Sequence, residues 1–180
     1  MRHSRFALFL LVIGFAAQPA TARPLTVGQI RAYMAVHGVG ETLNRFFEAE
    51  EPGHGGGYPL VEGGSPEGVA LGVELIARNP GAVATEEHLV DSMGEAMMHN
   101  PRAVLPLLDS DKAGQNMLDA GHICAPSIGD NVSNARALAI LVRTRRAIAA
   151  VHDPALQAAR NACLADIAKD EANIRKQAAP

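Results

Sequence analysis

The chain has 180 residues, a formal net charge of −3, and a composition that is 48% hydrophobic but only 4% aromatic, without tryptophan. That length sets one ordinary domain with its own core as the expectation. The slightly acidic balance excludes a dedicated nucleic-acid binder, which needs a basic face and a positive domain charge.

The chain opens with Arg2, His3 and Arg5, then an apolar run from Phe6 to Ala17, then Ala20-Thr21-Ala22. A basic segment, a short apolar segment and a small-x-small site together read as a secretory signal peptide over residues 1–22, cut after Ala22. The apolar run is shorter than the roughly 20 residues a membrane-spanning helix needs. The mature chain, 23–180, is therefore expected in the periplasm or secreted, without a transmembrane segment. In such a compartment an even cysteine count reads as a disulfide, here Cys124–Cys163.

Strand signals are scarce, and helix starts recur along the mature chain. Thr26-x-x-Gln29 has the form of a capping box, and the spacing predicts helices over 26–37 and 40–50. Residues 51–65 follow as a glycine- and proline-rich connector, with a short helical turn near Tyr58–Glu62. A phosphate-binding loop is the alternative for this stretch. It would need a lysine or a preceding strand, whereas no lysine occurs between Arg45 and Arg78 and Glu48, Glu50, Glu51 and Glu62 oppose an anion. His54 and Tyr58 on the connector are candidates for contact with a partner.

Ser65-Pro66, Asn100-Pro101 and Asp153-Pro154 each place a capping side chain before a proline at the first helical position. They start predicted helices at 66–78, 101–109 and 154–176. The 66–78 helix is apolar almost all round and is expected to be the central, most buried one. Its Gly68 and Gly72 would let a neighbouring helix approach closely. Thr85-Glu86-Glu87 starts a helix over 85–99, with carboxylates at its positive end.

On that helix His88, Asp91, Glu95 and His99 form one stripe, opposite Leu89, Val90, Met93 and Met97. Imidazole and carboxylate ligands at this spacing are candidates for a metal site. One straight helix cannot converge all four on one ion, however, and a solvated polar face gives the same pattern. Further on, Asp109, Asp111 and Gly114 echo a calcium loop, but Ala113 and Ala120 stand where ligands are required. Neither H-E-x-x-H nor G-x-S-x-G occurs in the chain.

A C-terminal helical hairpin is predicted over 132–176. Leu138, Leu141, Val142 and Ile148 share one side of its first helix, and Leu156, Cys163, Ile167 and Ile174 line its second. Arg136, Arg143 and Arg146 point outward as a candidate partner surface. Arg145 falls among the leucines, and snorkelling of its stem is the preferred reading over burial against a carboxylate. Charge is unevenly spread: residues 23–131 carry 6 basic and 15 acidic side chains, and residues 132–180 carry 8 and 4.

These readings predict an exported, single-domain, all-α bundle of about seven helices with one disulfide. The expected function is non-catalytic binding of another macromolecule, a protein partner in the cell envelope, by an adaptor, inhibitor or immunity-like protein without a cofactor. The alternatives are a metal-dependent enzyme or metal-binding protein using the His88–His99 face, and an envelope scaffold or stress protein.

Overall fold

The computed structural model describes residues 24–48, 56–79, 83–108, 123–124, 128 and 132–178. The proposed signal peptide, His54 and the calcium echo lie outside these residues. Among the described residues the chain is all-helical, without strands.

Helix α1, Val27–Leu43, starts on the expected capping box, in which Thr26 and Gln29 exchange hydrogen bonds. Gly38 interrupts it at φ 83°, ψ 171°, a backbone region open essentially to glycine alone. The break falls between the two predicted helices, and the second segment passes into a π-helical turn over Asn44–Glu48 that buries Phe47. Helix α2, Tyr58–Glu62, is only five residues long. Helix α3, Pro66–Arg78, is capped by the Ser65 side chain as predicted.

Helix α4 spans Val83–His99 and begins before Thr85, whose hydroxyl donates to Glu48 instead of opening the helix. Helix α5, Pro101–Val104, tightens into a 3-10 turn over Leu105–Leu107 rather than running to 109. Helix α6, Asn134–Ala149, is capped by Ser133. A 3-10 turn over Pro154–Leu156, capped by Asp153, leads into helix α7, Gln157–Gln177.

Three expectations are corrected by tertiary contacts. Asn100 does not cap α5; its amide Nδ2 donates to the Gly64 carbonyl at 2.8 Å and ties α4 to the α2–α3 turn. Helix α3 buries one face, including Val69, Leu71, Leu75 and Ile76, and leaves Ala70, Ala77 and Arg78 exposed. It therefore shares the centre with α4, which packs against α2, α3, α5 and α6. Arg145 is neither simply snorkelled nor buried: its exposed guanidinium Nε sits 3.3 Å from Oε1 of the buried Glu171.

One continuous core joins these helices, from Ile30 and Met34 through Leu75, Met93 and Met97 to Leu141, Ile148 and Ile167. Cys124 and Cys163 are bonded, with both residues buried and Cα atoms 5.0 Å apart. Their sequence separation of 39 closes a loop worth roughly 4 kcal/mol in the chain-entropy account. No helix among the described residues is long and apolar enough to cross a membrane.

The second half of the glycine-rich connector is packed structure. The Gly57 N–H donates to the Phe46 carbonyl at 2.8 Å, and a Cβ there would lie 2.6 Å from the Phe47 ring. A Cβ on Gly68 would collide with the Leu60 carbonyl oxygen, and one on Gly72 would meet Met93 and Val61. The expected close approach therefore happens, and the helix that approaches is α2. It lies against α3 and α4 with Val61 fully buried.

Candidate functional site

A cleft of about 370 Å³ opens between α2 and α4, lined by Tyr58 and Glu62 from the first and His88, Asp91, Ser92 and Glu95 from the second. Helical spacing explains the lining. Tyr58 and Glu62 are four residues apart, so they share a face while Val61 turns into the core. His88, Asp91, Ser92 and Glu95 follow steps of three, one and three along α4, which puts them on one face, opposite the buried Val90, Met93 and Met97.

Tyr58 forms the aromatic end of the cleft. Its ring meets Phe47 edge-on at 5.1 Å and His88 edge-on at 5.8 Å, and its hydroxyl lies 3.4 Å from His88 Nδ1. Burial raises the phenol pKa, and the nearby Glu48 carboxylate raises it further. Glu48 is itself held by the Thr85 hydroxyl. The π-helical turn at the end of α1 thus places one carboxylate behind the tyrosine.

The acidic end belongs to Glu62, Asp91 and Glu95. The buried Ser92 hydroxyl reaches Glu62 Oε1 at 3.5 Å, a long contact. Glu95 has its pKa raised by burial and then by the Glu62 carboxylate, against weaker lowering by His99 and Arg143. Among the described residues no salt bridge reaches Glu62 or Glu95. Two partly buried carboxylates therefore face each other without a contacting cation.

The structure joins residues that the sequence lists separately. Tyr58, a candidate from the connector, shares the cleft with His88, Asp91 and Glu95 from the α4 stripe. His99 is exposed one turn beyond, past the end of α2, and acts on Glu95 only through its charge. Among the described residues, no three His, Cys, Asp or Glu side chains gather as a metal site requires. Arg136, Arg143 and Arg146 are exposed on α6, as expected, and Arg143 alone of the three influences the cleft.

Sequence reasoning missed Glu62 and Ser92 as site residues. The four-residue step from Tyr58 to Glu62 was the available signal for the first. Nothing in the sequence marks Ser92, which sits between Asp91 and Met93 at the buried border of the stripe. In comparisons with known proteins, no family model, curated protein or solved structure matches the chain.

Proposed function

We propose that this chain is an exported, non-catalytic helical protein that binds another macromolecule in the cell envelope, as an adaptor, inhibitor or immunity-like protein, and that the α2–α4 cleft is its docking site. The observation that carries this reading is the cleft itself. An aromatic ring and three carboxylates are held there, with one wall kept close by glycine-tight packing of α2 on α3. Concave sites with a few convergent polar groups are the default location for recognition.

Export rests on the Arg2–Ala22 segment and agrees with a cysteine pair at bonding distance, a pairing typical of oxidising compartments. The test compares two surfaces. Tagged protein is used to capture partners from an envelope fraction, alongside a Tyr58→Ala/Glu62→Gln/Glu95→Gln cleft variant and an Arg136→Gln/Arg146→Gln variant of the basic face. A specific protein retained by wild type and the basic-face variant but lost from the cleft variant is the expected result. Equal capture by all three overturns the assignment of the cleft. Turnover in a substrate screen, with no specific partner, overturns the non-catalytic reading.

A further inference from the structure

We infer that the cleft receives a basic side chain, lysine or arginine, presented from the surface of a protein partner. The inference rests on the proposed docking role of the cleft and gives that role a chemistry.

Three independent features point to a slim monocation. The first is shape. His88 and Glu95 are seven residues apart on α4, so the lining from the aromatic end to the acidic end extends over about 10 Å. Tyr58 closes one end of it and the carboxylates the other. A lysine stem lies along an aromatic body while its ammonium reaches a polar tip, and an arginine fork pairs with two carboxylates at once. A divalent ion instead needs converging ligands, and no three such side chains converge among the described residues.

The second feature is incomplete compensation within the chain. Glu62 and Glu95 repel each other, and His99 and, more weakly, Arg143 soften this without a salt bridge to either. The other arginines near carboxylates are already engaged: Arg31 and Arg78 hold Glu74, and Arg145 and Arg175 hold Glu171. A cation arriving from outside is therefore the missing neighbour.

The third feature is the long-range field. Residues 23–131, which include both walls of the cleft, carry nine more acidic than basic side chains, whereas residues 132–180 carry a net +4. A net negative charge on the part of the chain that supplies both cleft walls favours the approach of a positively charged surface.

The test titrates the purified protein with Nα-acetyl-lysine amide, Nα-acetyl-arginine amide and the neutral Nα-acetyl-norleucine amide, with spermidine as a free amine. Backbone-amide NMR shifts locate the binding. At low salt one of the cationic amino-acid probes should bind at least about tenfold more tightly than norleucine, shifting residues around Tyr58 and Glu95. The preference should drop below about twofold in Glu62→Gln/Glu95→Gln, and likewise near 1 M salt, where the screening length falls to about 3 Å.

Equal binding of norleucine, survival of the preference in the double variant, or silence from both cationic amino-acid probes overturns the inference. Spermidine binding far more tightly than either also overturns it, because the natural occupant would then be a small amine. The two failures are distinguishable. A partner captured through the cleft but unaffected by the glutamine substitutions leaves docking standing and removes the basic side chain. Probe binding in the cleft, without any partner lost from the cleft variant, overturns docking and with it the partner's side chain, leaving only a cleft that binds free cations.

Discussion

Two places in this molecule withdraw carboxylates from water, and they treat them differently. At the hairpin, Glu171 is almost fully buried in the stripe between Ile167 and Ile174, and two arginines hold it. Arg175 Nη2 contacts Oε2 at 2.9 Å from the same helix, and Arg145 Nε lies 3.3 Å from Oε1 across from α6. At the cleft, Glu62 and Glu95 are partly buried, face each other, and have no arginine in contact. The chain therefore neutralises a carboxylate where it serves the fold. Under the proposed docking role, a pair left without a salt bridge beside an open cleft is a place where stability gives way to recognition.

The contrast can be broken most forcefully at the hairpin. Opening Cys124–Cys163 with reductant, or by Cys124→Ser/Cys163→Ser, should lower stability by about 2–4 kcal/mol in urea unfolding, since both sulfurs lie in the core that carries Glu171. A shift below about 0.5 kcal/mol would mean that the cross-link does not fasten that core. Next in size, Arg145→Ala/Arg175→Ala leaves Glu171 buried without a cation. The expected loss is about 3 kcal/mol, the low end for a broken buried pair because both guanidinium groups reach solvent. If the double variant is as stable as wild type, Glu171 is not compensated in the sense argued here.

The cleft should respond with the opposite sign. Glu95→Gln removes a repelled, partly desolvated charge and should stabilise the fold at neutral pH by about 0.5 kcal/mol, modest because the cleft is open to water. Because the native carboxyl has a raised pKa, the folded state holds its proton more tightly than the unfolded chain does. Wild-type stability at this group therefore falls as pH rises from the ordinary glutamate pKa through the raised one. The variant's advantage should be full above that window and absent below it, and a pH-independent difference would contradict it. Thermal melts across pH provide the measurement.

The smallest effect concerns Tyr58. Of the chain's two tyrosines, Tyr33 and Tyr58, the second should ionise late in an ultraviolet titration because of burial and Glu48. Tyr58→Phe should remove that late phase while changing stability by less than about 0.5 kcal/mol. A late phase that survives the substitution would place the uncommon phenol elsewhere.

Most of the helical layout was legible because its signals are local. The Thr26 box, the Ser65 and Asp153 caps, and the apolar steps of α6 and α7 each need only a few neighbouring residues. The disulfide followed from count and compartment. Asn100 misled because its cap competed with the Gly64 carbonyl, 36 residues away in sequence. Glu171 was passed over although it continues the Cys163–Ile167 step by four, since an acid there makes sense only once Arg145 is seen across the hairpin. The cleft was half visible: its α4 wall is a stripe on one helix, but its α2 wall depends on how closely two backbones meet.

That closeness is set at Gly68, a position with no functional group at all. Adding even a methyl there would drive into the peptide oxygen of Leu60 and lever the short helix outward. Every acid and ring that shapes the cavity would remain in the sequence, yet the cavity would lose one of its sides. A screen for variants that lose the proposed docking should therefore score hits at a silent hydrogen as readily as at a charged side chain, and a single such change would suffice to erase the cleft.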